Sequence, residues 1–156
     1  MAIEIERKFL VNGKKWKDLG TSKFYRQGYL STSKESTVRV RLAGDKGYVT
    51  IKGPRKGVSR AEYEYGIPYK EAEEMLDKLC IQPIIEKQRH KIPYAGFVWE
   101  VDEFFGPNKG LVVAEIELQS EGQFFAKPDW IGEEVTYDRR YSNSNLVRKP
   151  FREWDK

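Results

Sequence analysis

The sequence is poor in the residues that build disulfide bonds and zinc sites. Among 156 residues there is one cysteine, Cys80, and one histidine, His90. A single cysteine excludes an intramolecular disulfide and a cysteine-based zinc site, and a single histidine excludes a histidine-cluster metal centre. No run approaches the roughly 18 apolar residues of a membrane span. Residues 1–4 show no basic region followed by an apolar core, so we expect no secretion signal, no membrane partner and a cytoplasmic protein.

The excess of one sign of charge is also small. The chain carries 28 Lys and Arg against 24 Asp and Glu, a net charge of +4. This charge permits an anionic ligand but does not require a nucleic acid, and we expect no nucleic-acid partner. One third of the residues are charged, yet 13% are aromatic, which a disordered chain would lack. The length and the absence of repeats or linkers predict a single domain over residues 1–156.

Strict alternation of apolar and polar residues is the main pattern in the chain, and it predicts β-strands. Seven segments alternate clearly, and an eighth, residues 24–31, alternates more weakly. The seven are residues 3–11, 37–42, 48–52, 61–67, 84–91, 97–104 and 111–119.

Helical spacing is clear in one segment only. Residues 69–80 place Ala72, Met75, Leu76 and Leu79 on one apolar stripe. Shorter helices are predicted at residues 14–19 and 142–149. Many strands, few helices and short connections predict an α+β, mainly β protein whose antiparallel sheet is closed or nearly closed into a barrel.

Charged residues of the same sign repeat at positions i and i+2, so each pair lies on one face of one strand. The six pairs are Glu4 and Glu6, Arg39 and Arg41, Glu62 and Glu64, Lys87 and Arg89, Glu100 and Asp102, and Glu115 and Glu117. A solvated strand face usually mixes signs, because like charges this close repel each other. Clustered carboxylates suit Mg²⁺ or Mn²⁺, and clustered Arg and Lys suit phosphate. The pattern therefore favours a site for a metal and a polyphosphate.

Periodicity leaves the direction of these charged faces open. If they all point into one barrel, the interior is a charged channel and the apolar faces point outward, where helices, loops or a second subunit must cover them. The alternative has an apolar interior with the charges in solvent. A charged interior costs several kcal/mol per desolvated ion unless the ions are paired or hydrated, so a fold would retain one only for function.

The opening Glu4-x-Glu6-x-Lys8 resembles the signature of the CYTH superfamily, the triphosphate tunnel metalloenzymes, in their short bacterial form. Further similar blocks follow in order, and the resemblance spans residues 3–145. They are Arg39-x-Arg41, Thr50-Ile51-Lys52-Gly53, Glu62-x-Glu64, Lys87-x-Arg89, Trp99-Glu100-Val101-Asp102, Ala114-Glu115-Ile116-Glu117 and Arg140-Tyr141-Ser142-Asn143. The resemblance implies an eight-stranded antiparallel closed barrel that forms a tunnel with a charged interior and a few flanking helices.

The resemblance also implies roles for individual residues. Six bases would bind the phosphate oxygens and act in catalysis: Lys8, Arg39, Arg41, Lys52, Lys87 and Arg89. Seven carboxylates would bind metal or complete an acidic wall: Glu4, Glu6, Glu62, Glu64, Asp102, Glu115 and Glu117. Glu100 fits less well and would support Asp102. We interpret His90 as a surface or packing residue on the opposite strand face, and Cys80 as structural.

The leading hypothesis is the hydrolysis of inorganic tripolyphosphate to pyrophosphate and phosphate with Mg²⁺ or Mn²⁺. One alternative is an enzyme of the same fold that acts on an organic triphosphate, such as a class IV adenylate cyclase or a nucleoside or thiamine triphosphatase. Another is a non-catalytic polyphosphate- or nucleotide-binding module, which would gain nothing from an acidic wall. An RNA-binding barrel ranks last, because the residues beside Arg39 and Arg41 in the sequence are aliphatic. The outward apolar faces make a homodimer reasonable.

Overall fold

The computed structural model describes residues 3–154, and β-strands account for most of its regular structure. The strands are β1 (Ile3–Val11), β2 (Thr21–Thr32), β3 (Thr37–Ala43), β4 (Lys46–Lys52), β5 (Ser59–Ile67), β6 (Ile85–Tyr94), β7 (Phe97–Phe104), β8 (Val112–Glu117) and β9 (Ile131–Glu134). The α-helices are α1 (Tyr69–Lys78) and α2 (Asn143–Arg148). Short 3₁₀ turns lie at Lys15–Asp18, Gly106–Asn108, Arg139–Tyr141 and Phe151–Glu153.

Eight of the strands form a closed antiparallel barrel, as predicted. The order is β5-β4-β3-β2-β6-β7-β8-β1, and β1 closes the ring by pairing with β5 through Ile3–Ile5. The ninth strand, β9, adds to β1 outside the ring and was not predicted. Its four residues are too few to show alternation. No helix within residues 3–154 has the length and apolar character needed to span a bilayer.

The charged faces of the strands point into the barrel, and their apolar faces point outward. Val40 and Leu42, which alternate with Arg39 and Arg41 on β3, are buried against Leu76 of α1. The helix buries Ala72 and Leu76, but Leu79 is 66% exposed, so the predicted apolar stripe ends before that residue. Leu79 lies just after the last residue of α1, where the chain no longer faces the barrel.

A larger apolar cluster covers the outer face of β1, β7 and β8. Phe9 and Trp99 lie at its centre, and Trp130 packs against Trp99 from the segment that precedes β9. The 3₁₀ turn after β1 contributes Trp16, whose ring meets that of His90 edge to face. Of the two roles that the alternation left open for His90, surface or packing, the structure shows packing. These segments bury the outward apolar face of β1, β7 and β8, which would otherwise contact solvent.

A third apolar cluster fills one end of the barrel itself. Ile85, Phe104 and Val113 share their strand faces with inward-pointing charged residues, since they lie two residues from Lys87, Asp102 and Glu115. Leu146 and Val147 of α2 pack onto them and are almost completely buried. The interior of the barrel is charged, as the resemblance implied, and α2 together with these apolar side chains closes one end of it.

Candidate active site

The charged part of the barrel interior is a cavity of about 390 Å³. Among residues 3–154, its lining contains eleven Lys and Arg residues and seven glutamates, and Ala43 is the one aliphatic residue in it. All six predicted bases line this cavity, and so do six of the seven predicted carboxylates, all except Asp102. Topology explains the arrangement, because alternate residues of every barrel strand point inward.

Five of the eleven basic side chains come from β3 and β6, which β2 separates in the sheet. Arg41 is partly buried, and burial together with the charges of Arg39 and Arg89 lowers its pKa to about 10. It therefore stays protonated at neutral pH in a strongly positive environment. The buried Nε of Arg39 has no hydrogen-bond partner among the described residues. A bound anion would supply that partner and offset the mutual repulsion of the cations.

Asp102 lies behind this basic surface rather than on it. Its carboxylate is completely buried and accepts hydrogen bonds from Lys87 Nζ at 2.7 Å and from Arg89 Nε and Nη2 at 2.8 and 2.9 Å. Burial opposes its ionisation, but the two cations hold the pKa of Asp102 below its usual value. These contacts engage both carboxylate oxygens, so Asp102 is not placed as the resemblance implied for a metal-binding or wall residue.

Lys87 is the most deeply buried base of the site. Burial lowers its pKa to about 7, and the charges of Arg89 and Arg41 act in the same direction, whereas Asp102 opposes them. Besides Asp102, the Lys87 ammonium donates to Asn143 Oδ1 at 3.2 Å. The residue thus lies between the basic side chains and the C-terminal segment that closes the barrel.

The acidic side chains come from β1, β5, β7 and β8. Glu6 and Glu115 lie on adjacent strands and share a hydrogen bond. Burial, together with the charges of Glu115 and Glu4, raises the pKa of Glu6 well above its usual value. Burial also opposes ionisation of Glu115, but Lys8 and the Glu6 hydrogen bond lower its pKa. Glu6 and Glu115 therefore repel each other as anions, at a place where a bound cation would relieve that repulsion.

The pKa values of Glu117 and Glu62 are also raised, but less than that of Glu6. Burial is the main cause that raises the pKa of each, and the nearby Glu4 adds to it. Lys52 offsets part of the negative charge by donating to both oxygens of Glu4 at 3.0 Å. Within residues 3–154 no three carboxylate, histidine or cysteine side chains already converge as a metal-ligand set. The donor type and the excess negative charge nevertheless fit a hard divalent cation, which prefers carboxylate oxygen.

Several residues of the cavity were not found from the sequence. Tyr25 of β2 places its ring 4.8 Å from the guanidinium carbon of Arg41 and 5.1 Å from that of Arg89. An aromatic ring therefore does lie beside the arginines, which sequence neighbours alone did not show. Gln27, two residues further on, accepts a hydrogen bond from Arg41 Nε at 2.8 Å. Both lie on the inward face of β2, which carries no like-charged pair.

Glu100 and Lys91 also line the cavity. Glu100 lies 3.4 Å from Arg89 and 3.9 Å from Lys91, so it contacts bases rather than Asp102. Cys80 lies outside the site, in the apolar cluster under α1. Burial there raises the pKa of its thiol to about 11, so the thiol is protonated at neutral pH. Among the described residues, the charged groups that line the cavity are Lys, Arg and Glu side chains, with no cysteine or histidine beside them.

Comparisons with known proteins agree with this architecture. The profile of the family described as the CYTH domain matches residues 2–150. The chain is 57% identical over 152 residues to an inorganic triphosphatase of Acetivibrio thermocellus, with 97% of each protein covered. It is 40% identical over 149 residues to an inorganic triphosphatase of Nitrosomonas europaea, which covers 92% of this chain and 96% of that protein.

Solved structures show the same fold. A crystal structure of an inorganic triphosphatase superposes with a TM-score of 0.67 at 36% identity, covering 94% of this chain and 95% of the other. A putative adenylate cyclase of Bacillus halodurans superposes with a TM-score of 0.60 at 21% identity, covering 78% and 84%. That second likeness concerns the fold alone. With its barrel, its charged interior and a family match over nearly its whole length, the chain belongs to the CYTH domain family.

Proposed function

We propose that this protein hydrolyses inorganic tripolyphosphate to pyrophosphate and phosphate with the help of a divalent cation. The observation that carries the proposal is the sorting of charge in one closed-ended cavity, with Arg and Lys from β3 and β6 facing glutamates from β1, β5 and β8. The names of the two curated relatives support the same reaction. The lining is almost entirely polar, which suits a substrate made of phosphate groups alone.

The basic side chains would bind and orient the substrate. Arg39, Arg41 and Arg89 offer forked donors to the non-bridging oxygens, and Lys8 and Lys52 add compact charges. Because the surrounding protein fixes these groups before the substrate enters, they stabilise charge on the transferring phosphoryl group without reorganising. No covalent intermediate is required, since water attacks the phosphorus atom directly.

The glutamates would hold the cation and manage protons. Glu4, Glu6, Glu115 and Glu117 supply oxygen ligands from the neighbouring strands β1 and β8, and Glu62 and Glu64 face them from β5. A bound Mg²⁺ or Mn²⁺ would neutralise phosphate oxygens and polarise the phosphoryl group. A carboxylate of this group accepts a proton from the attacking water. Asp102 keeps Lys87 and Arg89 in place from behind.

The test is a substrate panel of tripolyphosphate, ATP and thiamine triphosphate, with Mg²⁺, Mn²⁺ or EDTA. Phosphate, pyrophosphate and cyclic AMP are all measured. We expect metal-dependent release of phosphate and pyrophosphate from tripolyphosphate, at a higher kcat/KM than for the organic triphosphates. Dominant turnover of ATP or thiamine triphosphate would identify an organic triphosphate enzyme, and binding without turnover under any metal would identify a binding module.

The metal ligands are tested with Glu6→Ala. Phosphate release should fall by on the order of 100-fold or more, because the variant removes a ligand and lowers the negative charge that attracts the cation. Glu86→Ala is the matched control, since Glu86 is a carboxylate on the outer face of β6 that contacts Arg26 at 3.7 Å. Both variants should keep the circular dichroism of the wild type. Wild-type turnover by Glu6→Ala contradicts the metal assignment.

A further inference from the structure

The side-chain amide of Asn143 lies where the closed end of the barrel meets the charged cavity. Asn143 is the first residue of α2, outside the sheet, and it lines the cavity together with Ser142 and Ser144. The position of Asn143 is fixed by its own helix, because Leu146 and Val147 of α2 are buried in the apolar cluster that closes the barrel. The residue therefore reaches the site from a rigid support.

A continuous chain of hydrogen bonds connects Asn143 to two of the bases. Arg41 Nε donates to Gln27 Oε1 at 2.8 Å, and Gln27 Nε2 donates to Asn143 Oδ1 at 2.9 Å. Lys87 Nζ donates to the same Asn143 oxygen at 3.2 Å. Gln27 and Lys87 have no exposed surface, so none of these contacts lies in bulk water.

The chemistry at the two ends of this chain fixes the orientation of both amides. An arginine guanidinium only donates hydrogen bonds, so the Gln27 oxygen must face Arg41 and its nitrogen must face Asn143. The ammonium of Lys87 likewise requires the Asn143 oxygen on its own side. These cations settle the assignment of oxygen and nitrogen in each amide, which would otherwise be a matter of choice. The Nδ2 group of Asn143 must then point away from both neighbours.

That nitrogen carries two N–H donors with no acceptor among residues 3–154. It is not one of the buried polar atoms left without a partner, so it is accessible from the cavity that the residue lines. A preoriented N–H donor in a cavity lined by cations is complementary to an anionic oxygen. As a neutral group it adds direction rather than further charge.

We propose that Asn143 is a substrate-binding residue that donates its Nδ2 hydrogens to a non-bridging phosphate oxygen of the substrate. This inference rests on the proposed function and deepens it. Because α2 closes that end of the barrel, the amide contacts the phosphate group that lies deepest in the cavity. Lys87 and Gln27 orient the amide, and Asn143 in turn links them to the substrate.

The direct test is the side-chain amide signal of Asn143 in ¹H–¹⁵N NMR spectra, assigned by its loss in Asn143→Asp. Tripolyphosphate is titrated into the wild-type protein in EDTA, so that binding is observed without turnover. We expect the two amide protons of Asn143 to shift downfield and to exchange more slowly with water at saturation. If these signals do not move at saturation, the proposal is overturned.

Kinetics give the second test. Asn143→Ala should lower kcat/KM for tripolyphosphate by about 10- to 100-fold, the usual effect of losing one hydrogen bond to a charged group. Asn145→Ala is the matched control, because Asn145 lies on the same helix but donates to Arg139 O, outside the cavity lining. It should stay within about threefold of the wild type. An equal loss in both variants means that loosening of the segment, not the amide donor, is responsible, and this overturns the proposal.

The two proposals fail in different ways. If the wild type does not hydrolyse tripolyphosphate, the proposed function is wrong, yet a response of the Asn143 signals would still show the amide binding a phosphate chain. If hydrolysis is normal and Asn143→Ala retains wild-type kcat/KM, the proposed function stands and the role of Asn143 is refuted. Should Asn143→Ala fail to fold, the wild-type NMR titration decides the matter alone.

Discussion

Asp102 provides the sharpest test of how the charged interior is held together. Replacing it by Asn keeps the size of the side chain but removes the negative charge that lies 2.7 Å from Lys87 and 2.8 Å from Arg89. If Asp102 neutralises these bases, Asp102→Asn removes the carboxylate that pairs with Lys87 and the nearest of the three that contact Arg89. If it were a metal ligand, the same change would act mainly on metal binding.

The size of the effect follows from burial. Removing one partner of a buried ion pair costs about 3–5 kcal/mol. The lower end applies here, because Lys87 already has a pKa of about 7 and loses its proton once Asp102 is neutral. Arg89 also keeps its contacts with Glu100 at 3.4 Å and Glu115 at 3.5 Å. A loss of about 3 kcal/mol corresponds to a fall of roughly 6–12 °C in Tm for a chain of this size.

The pH dependence of this loss has a definite sign. Below pH 7 the wild type holds Lys87 as a cation paired with Asp102, whereas the variant must either discharge that lysine or bury it unpaired. Above pH 7 the lysine is increasingly neutral in both proteins. The destabilisation of Asp102→Asn should therefore be larger at pH 6 than at pH 9.

The assay is thermal and urea unfolding at both pH values, together with the Mg²⁺ concentration that gives half-maximal phosphate release. Glu103→Gln is the matched control, because Glu103 is the next residue along β7 and contacts Lys17 at 3.3 Å in a largely exposed pair. It should change stability by at most about 1 kcal/mol. Wild-type stability in Asp102→Asn, combined with a raised Mg²⁺ requirement, would refute the reasoning and restore the metal-binding role.

Two further predictions concern the elements that cover the barrel. Leu76→Ala should lower the free energy of unfolding in urea by about 2–5 kcal/mol, because Leu76 is fully buried against β3. Leu79→Ala should lower it by no more than about 0.5 kcal/mol, because Leu79 is largely exposed. Equal losses would contradict the packing of α1. Arg7→Ala should cost about 1–2 kcal/mol near neutral pH, since it removes paired hydrogen bonds to Glu134 that join β1 to β9. Those bonds lower the pKa of Glu134 in the folded protein. Their contribution to stability is therefore present above the pKa of Glu134 in the unfolded chain and is lost as the pH falls through its pKa in the folded protein. A stability difference between Arg7→Ala and the wild type that persists in acid would contradict this.

The barrel could be predicted from the sequence because most of its strands repeat the same simple pattern. On β3 the alternation of Arg39 and Arg41 with Val40 and Leu42 indicates both a strand and two chemically different faces. The direction of those faces could not be decided by periodicity, because an inside-out barrel alternates in the same way. The family resemblance supplied that direction, and the burial of Val40 and Leu42 under α1 agrees with it.

The inward face of β2 shows where the charge pattern stops being informative. It consists of Lys23, Tyr25, Gln27 and Tyr29, which include no like-charged pair, and this strand was accordingly the weakest prediction. Yet Tyr25 contacts two arginines, and Gln27 joins Arg41 to Asn143. Uncharged residues can position charged ones, so a search for like-charged pairs at i and i+2 does not find them.

Pairing across strands is the other property that the linear pattern does not contain. Asp102 and Glu115 both belong to i, i+2 acidic pairs, and their neighbours in the sequence do not distinguish their roles. Register does, because Asp102 lies directly opposite Arg89 on β6, whereas Glu115 lies opposite Lys8 and Glu100. Both oxygens of Asp102 therefore accept hydrogen bonds from Lys87 and Arg89, whereas Glu115 lies beside Glu6 and lines the cavity. Which carboxylates remain free for a cation is decided by the register of the paired strands, and the response of Asp102→Asn to Mg²⁺ measures that difference directly.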